Sequence, residues 1–187
     1  MAFNGFHTLR IRFEYSFACK GLGRFPFLPQ KKHMKPLFVL LITFGLIAII
    51  TKVRTKQFDI KIAGRVAMTG MLCFTALGHF MFAEGMAQMI PDFVPQRELI
   101  VWVTGVLEIL FGIGLLIPQI SKKVGVGLIL FLIVVLPANI YAAMSGVNYQ
   151  SGVLDGPGLN YLWFRVPLQL FFIGWVYFSA VKVYQKI

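Results

Sequence analysis

The segment from residue 99 to residue 118 constrains the fold of this chain more than any other, because it is an apolar run of membrane length that contains one acid. It reads LIVWVTGVLEILFGIGLLIP, with Glu108 near its middle. A membrane-spanning helix needs about 20 predominantly apolar residues. A charged side chain at the bilayer centre costs roughly 2.5 to 3.5 kcal/mol on insertion scales, so such residues usually face polar partners within a helix bundle. The sequence therefore predicts a polar partner for Glu108 on another helix.

The composition of the whole chain indicates a protein of the membrane. The 187 residues are 58% hydrophobic and only 13% charged, and their mean hydropathy is +0.77. An average soluble domain is about one quarter charged. No strand-like alternation is present, so we expect an all-α polytopic protein that forms one domain.

Apolar runs along the chain predict transmembrane helices over residues 36–51, 62–83, 99–117, 124–145 and 160–180. The first run is short for a span, but Lys35 and Lys52 at its ends can reach the membrane surface along their apolar stems. No small-residue cleavage site follows it, so it is interpreted as an uncleaved anchor within residues 34–56. In the fourth run, Pro137 interrupts the backbone hydrogen bonds and Asn139 places an amide in the membrane.

Residues 1–33 carry no apolar run or periodicity that predicts a fold. They are interpreted as an unstructured basic tail that is not translated, with synthesis starting at Met34, directly before the first apolar run. The alternative is a genuine basic cytoplasmic tail. Intact mass of the native protein distinguishes these two hypotheses.

The net charge of +11 does not indicate a nucleic-acid partner, because the basic residues flank apolar runs and do not form a patch with interleaved aromatic residues. The positive-inside rule counts Lys and Arg in loops. It places residues 52–65, with five bases and one acid, on the cytoplasmic side together with Lys122, Lys123 and the C-terminus. Residues 84–98 and 146–160 are then outside. This topology also puts the N-terminus outside, which a basic tail would resist, so it favours a start at Met34.

Polar side chains in the predicted helices share the outer half of the membrane. Glu108 lies about 13 Å below the outer end of its helix at 1.5 Å of rise per residue. Arg165 and Gln169 project from one helix face, as do Thr104 and Glu108, because each pair is four residues apart. We expect Glu108 and Arg165 to form a buried ion pair. The remaining members of this predicted polar cluster are Gln169, Asn139 and His79, which complete its hydrogen bonds, and Glu84 at its outer mouth.

The polar cluster has two competing interpretations. It is a site for a small ligand, quinone or partner, or it is structural and only joins the helices, as buried polar contacts in membrane proteins often do. A metal site at His79, Glu84 and Glu108 is a weaker alternative, because the spacing matches no known ligand motif. Gly105 and Gly112 are interpreted as close-packing positions.

The sequence lacks the arrangement of residues that haem ligation by two histidines and disulfide exchange within the chain would require. His79 is the only histidine in a predicted span, so a haem with two histidine ligands has no second ligand. Cys19 and Cys73 form no CxxC pair, which argues against disulfide exchange within the chain.

Four segments in the order LGHFMFAEGMAQMIP (77–91), TGVLEILFGIGLLIP (104–118), LPANIYAAMSG (136–146) and FRVPLQLFFIGWVY (164–177) resemble the successive helices of the DoxX-like family of bacterial integral membrane proteins. The resemblance covers about residues 62–184. It implies a transmembrane four-helix bundle, here preceded by one additional N-terminal transmembrane helix. It also implies that the motif positions His79, Glu108, Asn139, Arg165 and Gln169 belong to the site.

DoxX proteins are associated with thiosulfate:quinone oxidoreductase subunits and, in mycobacteria, with a membrane oxidoreductase complex that handles oxidative stress. The resemblance therefore implies an accessory or quinone-binding subunit that works with an oxidoreductase partner at the bacterial inner membrane. The sequence itself has no haem, flavin or metal motif, so the chain is expected to shape a quinone pocket or anchor a partner. The alternatives are a membrane scaffold or assembly protein, whose polar cluster is structural, and a small transporter.

Overall fold

The computed structural model describes residues 35–148, 150, 156 and 158–182. All regular structure within these residues is helical, as predicted. The predictions for residues 1–33, including Cys19, lie outside the described residues.

Six α-helices occur in the described part of the chain: α1 Lys35–Thr55, α2 Ile60–Met81, α3 Ala83–Ala87, α4 Arg97–Leu116, α5 Ser121–Ser145 and α6 Leu162–Val176. A 3-10 turn over Gly158–Tyr161 leads into α6, and a π-helical segment over Tyr177–Val181 continues it. All except the short α3 are long and apolar enough to cross a membrane, with α6 and the π-helical segment counted together. The five predicted spans are confirmed, and the chain is a multi-pass α-helical membrane protein.

Some helices extend beyond the apolar runs that predict them, because the polar residues at their ends are also helical. Helix α1 continues to Thr55, with Lys52 and Arg54 in its last turn, where cations interact favourably with the helix dipole. Helix α2 begins after Asp59, whose carboxylate accepts a hydrogen bond of 2.9 Å from the backbone N–H of Ile62. This cap satisfies one of the unpaired donors at the helix start. Helix α5 continues through Pro137 without ending.

Helix neighbours decide which polar side chains can meet. Helix α2 packs against α1 and α4, α4 packs against α5, and α5 packs against α6. The segment Tyr177–Val181 also contacts both α2 and α5. Helices α4 and α6 share no extensive contact in the described part of the chain. They are therefore separated by α2 on one side and α5 on the other.

The contact between α2 and α4 depends on small residues. A Cβ atom at Gly105 would lie 2.9 Å from the Cβ of His79, and one at Gly112 would lie 3.3 Å from the Cγ2 of Thr69. The Thr69 hydroxyl donates a hydrogen bond of 2.9 Å to the Gly112 carbonyl. The predicted close-packing role of both glycines is confirmed, and this packing brings the His79 side chain to α4.

Candidate functional site

His79 on α2 and Glu108 on α4 form the polar contact at the centre of the candidate site. The Nε2 atom of His79 lies 3.5 Å from the Oε1 atom of Glu108. Their side chains are only 19% and 12% exposed, respectively. The polar partner that the sequence predicts for Glu108 is therefore present, but it is the histidine of the neighbouring helix.

Thr104 completes this contact from the turn of α4 that precedes Glu108. Its hydroxyl oxygen lies 3.2 Å from the Nδ1 atom of His79 and 2.8 Å from the carbonyl oxygen of Val101. A hydroxyl group has one proton to donate and can accept as well. If Thr104 donates to Val101, then Nδ1 of His79 must carry a proton and donate to Thr104. If Thr104 donates to Nδ1, that nitrogen is the acceptor of the ring.

The two arrangements differ in whether a proton lies between the histidine and the carboxylate. When Nδ1 accepts, Nε2 carries the proton of the neutral ring and faces Oε1 at 3.5 Å. When Nδ1 is protonated, Nε2 and Oε1 are both acceptors unless either the ring or the carboxyl group holds a further proton. In the first arrangement, therefore, His79 holds a proton next to Glu108 within a predicted span.

Arg165 belongs to a second polar group, between α5 and α6. One terminal nitrogen of its guanidinium donates to the Oδ1 atom of Asn139 at 3.3 Å, and the other donates to the Tyr161 hydroxyl at 3.5 Å. The side-chain nitrogen of Asn139 donates in turn to the Val135 carbonyl at 3.2 Å. Sequence reasoning missed Tyr161, although its position four residues before Arg165 was a usable signal.

The predicted ion pair between Glu108 and Arg165 is not formed, because their helices are not neighbours. Helix α2 and helix α5 lie between α4 and α6, so Glu108 meets a residue of α2 and Arg165 meets a residue of α5. Both residues were predicted in the outer half of the membrane, but a shared half does not determine which residues lie side by side.

The other two predicted members have separate positions. Gln169 is 4% exposed and donates a hydrogen bond of 2.7 Å from its side chain to the Leu132 carbonyl, which joins α6 to α5. Glu84 is exposed at the start of α3. Within the described residues, no group of three or more His, Cys, Asp or Glu side chains is arranged to hold a metal ion, so His79, Glu84 and Glu108 do not form the metal site considered above.

Two buried polar atoms have unused hydrogen-bonding capacity. Within the described part of the chain, the Oε2 atom of Glu108 and the Nε atom of Arg165 are buried and no protein group hydrogen-bonds to them. A buried polar atom without a partner costs about 1 to 3 kcal/mol, and more if the group is charged. One such atom lies in each polar group, an acceptor in the first and a donor in the second.

These features define a multi-pass helical membrane protein with a His–Glu pair between two of its spans. Residues 68–180 match the family described as Domain of unknown function (DUF8561), and the chain belongs to this family. The matched region includes His79, Glu108, Asn139, Arg165 and Gln169. No curated protein and no solved structure matches the chain.

Proposed function

We propose that this chain is a DoxX-like accessory subunit of a membrane oxidoreductase system and binds a quinone or a similar small carbonyl compound at His79 and Glu108. In this proposal, α2, α4, α5 and α6 form a four-helix bundle in the bacterial inner membrane, α1 is an additional helix on its outside, and the C-terminus is cytoplasmic. The observation that carries the proposal is the buried Oε2 atom of Glu108, which no described protein group satisfies.

The residues at this position fit a quinone in their chemistry. A quinone carbonyl accepts hydrogen bonds, and its reduction takes up protons together with electrons. A protonated Glu108 carboxyl group can donate from Oε2, to which no described protein group hydrogen-bonds. Small-molecule sites typically fix the orientation of a ligand with few polar groups, and this pair would supply them.

The chain's own residues would control one proton at this position. Glu108 holds it when it donates from Oε2 toward a carbonyl oxygen. A His79 ring that is protonated at both nitrogens can then return the Nε2 proton to the same carboxyl group, whose Oε1 lies 3.5 Å away, and the ring becomes neutral. Thr104 lies 3.2 Å from Nδ1 and orients the imidazole ring.

A scaffold function is the second candidate, and the group around Arg165 favours it. Gln169 donates to a backbone carbonyl of α5, and Arg165 donates to Asn139 on the same helix. Contacts of this kind hold helices together and require no ligand. The two candidates therefore differ in what they predict for Glu108.

Quinone binding by the purified full chain tests the proposal. A short-chain ubiquinone or menaquinone analogue is titrated into the protein in mild detergent, and quenching of tryptophan fluorescence reports binding. Glu108→Leu keeps a side chain of similar size but removes the carboxyl group, whereas a glutamine there would still offer a hydrogen-bond donor. Since a hydrogen bond between neutral groups contributes about 0.5 to 1.5 kcal/mol, we expect the affinity to fall roughly 2- to 10-fold.

Glu98→Leu is the matched control, because Glu98 is an exposed acid in the first turn of the same helix. Its affinity should equal that of the unmodified chain. Equal affinity of Glu108→Leu and Glu98→Leu would contradict the proposed ligand site and favour the scaffold function.

A further inference from the structure

A groove that is separate from the polar cluster lies between α1, the start of α2 and the end of α6. It has a volume of about 380 Å³, within the range of about 300 to 1,000 Å³ that is usual for small-molecule sites. Its lining is almost entirely apolar, with one cationic side chain, Lys61, and one hydroxyl group, Ser179. The chemistry of the groove therefore suits a hydrocarbon chain that ends near a positive charge.

The aromatic wall of the groove is centred on Trp175. Phe44 of α1 meets Trp175 edge to face with ring centroids 5.0 Å apart, and Phe171 lies against it at 5.6 Å. The indole N–H donates a hydrogen bond of 3.0 Å to the Gly64 carbonyl of α2. The ring is thus fixed on both sides, so the wall is held in place by the protein and does not depend on an occupant.

Helix α2 and the π-helical segment pack closely at one side of the groove. A Cβ atom at Gly64 would lie 2.8 Å from the Cβ of Ser179, so α2 and the π-helical segment touch at this point. By contrast, a Cβ atom at Gly174, which also lines the groove, would meet nothing within 4 Å. The groove is therefore open beside Gly174, and α1, which contributes Phe44, forms its far wall.

Cationic side chains surround the end of the groove at which α2 begins. Lys61 lines it directly, and the Nζ of Lys182 lies 5.3 Å from the ring centroid of Phe178, another lining residue. The end of α1 and the connection to α2, residues 52–59, carry three further bases and the single acid Asp59. A surface with this charge attracts anionic lipid by about 1 kcal/mol for each Lys or Arg near it.

We propose that this groove binds one anionic phospholipid, with an acyl chain along Trp175 and the phosphate group beside Lys61 and Lys182. The apolar lining matches the acyl chain and the cationic end matches the headgroup charge. The bound lipid would fill the space between α1 and α6 and add to the contacts that α1 already makes with α2 and Trp175. This inference does not depend on the proposed quinone site, because the two sites share no residue.

Native mass spectrometry of the full chain with phosphatidylglycerol and phosphatidylcholine of identical acyl chains tests this inference. We expect one tightly bound phosphatidylglycerol for each chain and weaker binding of phosphatidylcholine. Lys61→Gln removes one charge and should lower the affinity for phosphatidylglycerol about fivefold, with little effect on phosphatidylcholine. Equal binding of the two lipids would overturn the proposal.

Gly174→Leu fills the groove, and the chain offers a matched control for it. Gly45 is also a glycine within a helix whose added Cβ would meet nothing within 4 Å, but it does not line the groove. We expect Gly174→Leu to lose the bound lipid and Gly45→Leu to keep it. Retention of the lipid by Gly174→Leu would place it elsewhere on the surface and contradict the proposed site, whereas quinone titration of the same variants should show no change.

Discussion

His79 Nε2 lies 3.5 Å from Glu108 Oε1 across the contact between α2 and α4. Gly105 makes this approach possible, because a side chain there would meet the Cβ of His79 at 2.9 Å. The polar pair and the close packing are therefore parts of one arrangement.

The contact between His79 and Glu108 should appear as a coupling energy between the two side chains. We expect His79→Gln and Glu108→Gln each to destabilise the protein, and the double variant to be less destabilised than the sum of the two. Hydrogen-bonded contacts between transmembrane helices average about 0.6 kcal/mol and reach about 1.7 kcal/mol in double-mutant cycles. Unfolding in mixed detergent micelles measures the four free energies of unfolding. Additive effects would show that the pair does not interact.

Gly105→Ala should destabilise the protein even though alanine is the better helix former. The added methyl group would meet the Cβ of His79 at 2.9 Å, an atom that cannot move without a shift of α2. Overpacking of this kind typically costs about 1 to 3 kcal/mol, which exceeds the gain of about 1 kcal/mol from helix propensity. The free energy of unfolding in micelles measures the difference.

Gly45→Ala is the control for that substitution, because its methyl group meets nothing within 4 Å. It should leave stability unchanged or raise it through helix propensity alone. If both alanine variants were equally stable, the close approach of α4 to His79 would not constrain residue 105.

Gln169 should tolerate an apolar substitution better than a charged one. Its side chain is 4% exposed and donates to the Leu132 carbonyl. Gln169→Leu loses this bond but leaves no charge in the core. Gln169→Glu places a carboxylate against a carbonyl oxygen, so that an ionised side chain has no proton to donate to Leu132 and repels that oxygen.

We therefore expect a lower free energy of unfolding for Gln169→Glu than for Gln169→Leu, by about 1 to 3 kcal/mol. Thermal unfolding in detergent at neutral pH compares the two variants. The opposite order would mean that the side chain of residue 169 leaves the core and does not contact Leu132.

Hydrophobic runs were sufficient to predict the spans, because the length of a span is set by the bilayer and not by tertiary contacts. The ends of helices were less predictable. Helix α1 continues through Lys52 and Arg54, since a charged residue ends an apolar run without ending the helix. The short α3 was also missed, as it forms where Phe82 departs from helical geometry after α2.

The partners of the buried polar side chains depend on which helices are neighbours, and depth alone does not reveal this. Glu108 and Arg165 lie in the same predicted half of the membrane, but α2 and α5 separate their helices. The shared face of Thr104 and Glu108 was a local pattern, and it correctly brought both residues to the same contact with His79. The spacing within one helix therefore predicted which residues share a face. Which helices are neighbours is known only from the three-dimensional structure.

The charges of the loops predict which loops are cytoplasmic. Labelling of cysteines at exposed loop positions tests this prediction. In a variant without Cys19 and Cys73, single cysteines are introduced as Gln57→Cys, Phe93→Cys and Gln119→Cys. All three positions are exposed and lie between helices. Phe93 is 86% exposed, so a thiol there should react readily with a maleimide.

A membrane-impermeant maleimide added to intact bacterial cells should label only Phe93→Cys. Residues 52–65 carry five bases and one acid, and Lys122 and Lys123 follow Gln119, so the positive-inside rule places Gln57 and Gln119 in the cytoplasm. Both should be labelled only after the cells are permeabilised. The reverse pattern would invert the topology and put the ends of the helices that carry His79 and Glu108 nearer the cytoplasm. The same inversion would place the cationic end of the groove beside Trp175 against the outer leaflet.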